Sequence, residues 1–310
     1  MRLATFITTS GQQHVGALLS DGRLLDLTAA TEGTAAFSSM LALIDAGVSA
    51  LAIARGLVDQ AEQHELDHHA YRTDGVQLLA PIPRPRKNVY CVGLNFRSHV
   101  EQNAQALGQR FELPDVPLFF SKPVTAVVGP GAAINYDRRL TGQLDYEVEL
   151  AVVIGRRGTW ITAKDAGEHI FGYTIVNDVS ARDLQWRTSQ FLYGKGLDTY
   201  CPMGPVVVTR DELTEVGDVI LELYVNGEQR QSERAGNMLF PPEVAIAELS
   251  RGLTLEPGDV ISLGTPGGCG YQLMPPDFLK DGDLVECRAT AIGVLANHVT
   301  EVQPALAANA

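Results

Sequence analysis

LDYEVELAVVIG, residues 144–155, is the stretch on which the reading of this chain turns. Glu147 and Glu149 flank Val148, and an unbroken apolar run follows through Ile154. In an extended strand, residues i and i+2 share a face, with Cα atoms roughly 6.5–7 Å apart. On a solvent-washed edge two such carboxylates need no explanation. VELAVVIG, however, is hydrophobic on both faces after Glu149, which predicts a strand covered on both sides. A carboxylate pair carried into such a place requires a compensating cation.

A second apolar stretch, GYTIVND, ends in Asp178 and runs into VSARDLQWR, which contributes Arg182 and Asp183. A carboxylate at the end of a buried strand can join Glu147 and Glu149. Three carboxylates with no histidine or cysteine nearby in sequence form an all-oxygen set, suited to a hard divalent cation, Mg2+ or Mn2+. Lys195 in YGKGLDT and Arg182 would offset the remaining negative charge and attract an anionic substrate. The competing explanation is a structural ion-pair network, with Arg182 clamping Asp183.

Outward from this centre the chain divides at PIPRPRK (81–87), where three prolines in seven residues exclude a helix interior. Before it, apolar runs around Asp21-Gly22 signal a hairpin. Met40, Leu41 and Ile44 open an apolar helical face that LAIARGLVDQAEQ continues. Polar residues from about 64 to 76 read as a surface connector. After it, short β-branched runs recur between turn signals. VILELYVNGEQRQ forms a hairpin at Asn226-Gly227, and FPPEVAIAELSRG is a helix started by Pro242 with Val244, Ala247 and Leu249 on its apolar face. The expectation is a mostly-β α+β fold, a barrel or rolled sheet, with a small N-terminal α/β domain over residues 1–80 and a catalytic domain over 84–302. The leading domain holds no catalytic cluster and is assigned a packing or dimerisation role. The C-terminal ALAANA is expected to fray.

Of 310 residues, 45% are hydrophobic and 20% charged, values of a globular chain. The net charge of −13 argues against nucleic acid and against an anionic membrane surface as partners. No run is expected to span a bilayer. The N-terminus is polar by its eighth residue, and the four cysteines are scattered without a CxxC, which reads as reduced thiols of a cytoplasmic protein. Gly194-Lys195 lacks the Ser/Thr of a phosphate loop, and GTPGGCGYQL (264–273) has Leu273 where a dinucleotide fingerprint needs glycine. No GxSxG elbow occurs. His64 and His68 are four apart on a polar segment, and read as solvated surface.

GLNFRSH (93–99), FSKP (120–123), DYEVELAVVIG (145–155), NDVSARD (177–183), GKGLDTYCPMGP (194–205), VNGE (225–228) and GDVISLGTPGG (258–268) resemble the fumarylacetoacetate hydrolase family. The resemblance runs in order from about residue 84 to 299, and the leading segment is similar to the small first domain of bacterial members. It implies a β-rich roll, usually a homodimer. It implies Mg2+ or Mn2+ on Glu147, Glu149 and Asp178, with Lys195 against the substrate or its developing enolate. It also implies Thr265 on the substrate carboxylate, with Arg182, Gln185 and Lys122 as further pocket residues. The rival for Thr265 is a role in shaping its Gly-Pro turn.

The family also has a lid helix whose histidine and a glutamate three residues later activate water. Here the histidine is His99, but Gln102 stands three residues on. The nearest acid is Glu101, and i and i+2 do not face each other on a regular helix. A dyad therefore calls for irregular lid geometry or a distant acid such as Glu112.

The function implied is divalent-metal-dependent hydrolysis of a C–C bond in a small β-dicarbonyl acid, such as an acylpyruvate, through an enolate stabilised by the cation. The alternatives are oxaloacetate decarboxylation and isomerisation or tautomerisation of a hydroxyhepta-diene-dioate type substrate at the same metal site. They share every residue named except the base, and loss of a His–Glu dyad favours them. A non-catalytic relative that binds metal and dicarboxylate for a partner protein is the reading from another class.

Overall fold

The computed structural model describes residues 1–302; the ALAANA tail lies outside them. The chain folds around a large mixed sheet. Its strands run, edge to edge, Ala70–Arg72, Arg23–Asp26, Gln13–Leu18, Arg2–Ile7, Cys201–Thr209, Ile170–Asn177, Val148–Ile154, Val260–Ser262, Val89–Gly93 and Leu118–Lys122. A five-stranded sheet, in the order Glu228–Arg234, Ile220–Val225, Leu284–Ala289, Gly293–Glu301 and Ile134–Tyr136, packs over one face. The path has two free ends, so the barrel alternative gives way to an open, rolled sheet.

The central strand explains its own composition. Leu150, Val152 and Ile154 point into the core under the five-stranded sheet. Ala151 and Val153 point the other way, into a second core shared with Leu43 and Ile44 of the helix Met40–Glu62. Both faces are covered, which is why the run reads as continuous hydrophobicity rather than alternation. The strand is nevertheless shorter than the 144–155 stretch. Leu144–Asp145 pairs separately with Ser180–Ala181. Between the two pieces, side chains replace the ladder. The Tyr146 N–H donates to Asp145 Oδ1 at 2.9 Å, and the Glu147 N–H donates to Asn177 Oδ1 at 3.1 Å.

Residues 1–80 do not build a sheet of their own. Arg2 and Leu3 pair with Val208 and Val207, so the leading strands extend the catalytic sheet. The helix Met40–Glu62 starts where Ser39 accepts from the Ala42 N–H, and it kinks at Gly47, whose φ of 60° lies in the left-handed region. It buries Met40, Leu43 and Ile44, leaving Leu41 only partly covered. Contrary to the expectation, this helix is long and apolar enough to cross a membrane by length and composition alone. In the fold it lies along the sheet.

The Asn226-Gly227 hairpin forms, with both residues at positive φ (52° and 82°) as a type I′ turn demands. The helix Pro242–Leu249 has proline at its start, but it buries Pro242, Ala245, Ile246 and Leu249 rather than Val244 and Ala247. That i, i+3, i+4, i+7 stripe is the geometry of one helical face.

Candidate active site

The carboxylates converge through sheet register. Val148 pairs with Asn177, so Glu147 and Asp178 are opposite each other where the two antiparallel strands begin and end. The Asp178 N–H donates to the Glu147 carbonyl at 2.9 Å. Glu149 lies two residues along, on the same face. All three are buried, and each offers an oxygen within 4.8 Å of the others.

Buried cations surround them. Lys195 Nζ donates to Glu147 Oε2 and Asp178 Oδ2, each at 2.7 Å. Arg182 Nε donates to Asp145 Oδ2 at 2.8 Å. Its Nη2 stands 2.7 Å from Glu147 Oε1 but is not aligned as a hydrogen bond, so that contact is an ion pair by charge alone. Arg182 therefore clamps Asp145 and Glu147, not Asp183, which accepts from Thr141 and Gly142. Lys122 is fully buried, ion-paired with Asp178 and donating to the Val179 carbonyl. Its contacts thus tie it to the Asp178 corner of the centre, and it is not among the residues that line the cavity.

The electrostatics separate the glutamates. Burial alone would raise the Glu147 pKa, but Lys195 and Arg182 override it and hold the carboxyl well below the usual range. Among the described residues, no such cation contacts Glu149. Burial, with the charges of Asp178 and Glu147 behind it, pushes its pKa well above the ordinary value. Ser262 Oγ and the Gly264 N–H both donate to Glu149 Oε2, so Oε1 receives no hydrogen bond among the described residues.

Four acidic groups (Asp145, Glu147, Glu149, Asp178) thus face three basic ones (Arg182, Lys122, Lys195), and one carboxyl ionises only at a cost. That is the signature of a site one positive ion short. The donor set is all oxygen, which fits Mg2+ or Mn2+ held by Glu147, Glu149 and Asp178. Cation binding needs Glu149 ionised and so expels its proton. Mn2+ affinity should therefore rise with pH, and titration in weak buffer should register proton release. A pH-independent affinity would contradict this account of Glu149.

Glu147 and Glu149 open onto a cavity of about 260 Å3, lined by His99, Arg182, Gln185, Lys195 and Thr265 and by the apolar Leu107, Phe120, Trp186 and Phe191. Gln185 Oε1 accepts from Arg182 Nη1 at 3.1 Å. Thr265 does more than shape a turn. Its hydroxyl donates to the Val148 carbonyl at 2.9 Å and accepts from Gln231 Nε2 at 2.9 Å, tying the GTP loop to the glutamate strand.

His99 enters from the helix Arg97–Leu107. Asn95 positions that helix: it is fully buried, with Nδ2 donating to the Leu263 and Phe240 carbonyls and Oδ1 accepting from the Phe240 N–H. Glu101 does not join His99. It lies half-exposed against Arg97 at 3.6 Å, and Glu112 lies exposed beside Arg110. Gln102 instead accepts from the Gly268 N–H at 2.7 Å. The groups beside His99 Nδ1 are Gln272 Nε2 at 3.2 Å and Cys269 Sγ at 3.7 Å. Burial is the main reason its pKa falls to about 4, so the ring is neutral at physiological pH.

Asp145, Cys269 and Gln272 were missed as site residues. Asp145 lay inside the deciding stretch. Cys269 and Gln272 lie in the glycine-rich run just past Thr265, where no local pattern marks them.

The fumarylacetoacetate (FAA) hydrolase C-terminal family model matches residues 88–300. The oxaloacetate tautomerase YisK of Bacillus subtilis is 43% identical over 294 residues, covering 93% of this chain and 96% of that protein. The mitochondrial oxaloacetate tautomerase fahd2 of Xenopus laevis is 36% identical over 303 residues, covering 96% and 90%. Among solved structures, a fumarylacetoacetate hydrolase from psychrophilic Exiguobacterium antarcticum superposes with a TM-score of 0.79 at 39% identity, covering 97% of this chain and all of that one. With its motifs, sheet and acidic centre all in place, this chain belongs to the fumarylacetoacetate hydrolase family.

Proposed function

We propose that this protein catalyses keto–enol tautomerisation of a small 2-oxo dicarboxylate, with oxaloacetate as the reference substrate and Mg2+ or Mn2+ as cofactor. The observation that carries the reading is the company of His99: an amide and a thiol rather than a carboxylate. Water-activating histidines rely on an acid to orient and stabilise the imidazolium. Here neither Glu101 nor Glu112 reaches the ring. The names of the two relatives support the same choice over C–C hydrolysis.

A divalent cation held by Glu147, Glu149 and Asp178 would supply Lewis acidity, polarising a 2-oxo group and acidifying the adjacent C–H. The chain's own residues supply the electrostatics around it. Lys195, whose pKa is raised by Asp178 and Glu147 against the effect of burial, stays an ammonium and places fixed positive charge where an enolate oxygen develops. Arg182, stacked 4.4 Å over the Tyr271 ring, adds a second charge that attracts a carboxylate. Phe120, Trp186 and Phe191 add an apolar wall beside these charges. The cavity suits a short acid rather than a bulky aromatic one.

The test runs two substrates in parallel. Stopped-flow decay of enol oxaloacetate absorbance should accelerate with Mn2+ and lose that acceleration in EDTA. Acetylpyruvate hydrolysis should proceed at least about 10²-fold more slowly, in line with the usual worth of a general base. Faster acetylpyruvate cleavage than oxaloacetate tautomerisation would overturn the proposal.

A further inference from the structure

We infer that Gln272 locks His99 as its neutral Nε2–H tautomer, so that the imidazole meets the substrate as a hydrogen-bond donor and not as a base. The inference deepens the tautomerase reading, and rests on it for the identity of the substrate.

The amide of Gln272 has a fixed orientation. Its Oε1 accepts from two backbone donors, the Gly268 N–H at 3.0 Å and the Cys269 N–H at 3.1 Å. An amide nitrogen cannot accept those bonds, so the NH2 group has to face the other way. There Nε2 reaches His99 Nδ1 and the His99 carbonyl, each at 3.2 Å, and the Tyr271 hydroxyl at 3.1 Å. Tyr271 in turn donates its proton to Asn103 Oδ1 at 2.9 Å, so it too receives from Gln272. Every partner of this NH2 is an acceptor. The two hydrogens of this NH2 are shared among three neighbours, and because its nitrogen cannot accept, a proton on His99 Nδ1 would be set against a donor; Nδ1 is therefore the acceptor, and in a neutral imidazole the proton sits on the other nitrogen.

Cys269 agrees with this. Its thiol is fully buried beside the ring. Its sulfur takes a weak bond from Gln231 Nε2 at 3.8 Å, leaving the proton for Nδ1 at 3.7 Å or Glu147 Oε1 at 4.0 Å. With the Nδ1 edge filled by Gln272 and Cys269, the Nε2 edge is left for the cavity that His99 lines. The Pro266 carbonyl also approaches the ring, and a proton on Nδ1 aimed at it is the arrangement an experiment has to reject.

Gln272 is accordingly a positioning residue, and the direct readout is tautomeric state. Protein labelled with 15N-histidine, examined with Mg2+ present, should give one ring signal that disappears in His99→Asn. That signal should show a pyridine-type Nδ1 and a pyrrole-type Nε2. Gln272→Glu replaces the donor with an acceptor and should turn Nδ1 pyrrole-type. Gln272→Met, which offers neither, should leave a mixture of the two forms. Gln272→Glu should also lower kcat for enol oxaloacetate by about 10²-fold or more, the scale of one lost hydrogen-bond donor to a developing oxyanion, while KM changes little. A pyrrole-type Nδ1 in the unmodified protein overturns the inference, as does a tautomer unmoved in both variants while far-UV circular dichroism shows them folded. Neither result touches the proposed reaction, which stands or falls on the two-substrate assay.

Discussion

Glu149→Gln is expected to abolish high-affinity Mn2+ binding and to lower kcat/KM for oxaloacetate by about 10³-fold, the loss of several kcal/mol of electrostatic stabilisation. The substitution is chosen because the fold should survive it. The amide oxygen of glutamine still accepts from Ser262 Oγ and the Gly264 N–H, which both address Oε2 in the native residue. Only the ionisable charge is lost. Without a cation that charge is a burden, since burial and its acidic neighbours keep Glu149 from ionising. The metal-free variant should therefore be at least as stable as the metal-free native protein. The sign follows from linkage. A group whose folded pKa is raised ionises more readily when unfolded, so it costs stability progressively as pH rises above its unfolded value. Calorimetric titration with Mn2+ and thermal melts in EDTA measure the two halves. Native-like metal affinity in the variant would remove the basis of the proposed centre.

Asp145→Ala should destabilise the fold by about 3–5 kcal/mol, the scale of a buried ion pair broken by removal of one partner. Asp145 is fully buried, and its two oxygens serve four donors: Arg182 Nε and the N–H groups of Tyr146, Gly270 and Tyr271. Alanine leaves a buried guanidinium without that partner and strands backbone donors. The damage reaches function through geometry. The Gly270 and Tyr271 bonds pin the loop that carries Gln272 to His99, and Arg182 is the charge beside Glu147. Urea unfolding should show a reduced midpoint, and the folded fraction should turn over oxaloacetate more slowly. A variant within about 1 kcal/mol of native would mean that Asp145 is an incidental neighbour and not the anchor of this corner.

Much of this was legible before any coordinates. VELAVVIG announced a strand buried on both sides, because a run with no polar face cannot lie at a surface. The spacing of Glu147 and Glu149 puts them on one face, and Asp178 at the end of another apolar run made an acidic centre one of two readings beside an ion-pair network; the pairing of Val148 with Asn177 brings the three together. The ordered motifs carried the family. What the sequence left open was decided by contacts between segments far apart in the chain. Whether Arg182 holds Asp183 or Asp145 depends on how a short helix lies on a neighbouring strand. Whether Lys122 meets substrate depends on which side of Asp178 it approaches. The partner of His99 could not be found by counting along its own helix, because it comes from Gln272, 173 residues away. Local periodicity fixes which face a side chain occupies. Hydrogen-bond partners in a buried site are chosen by tertiary packing, which brings together segments that no local spacing relates.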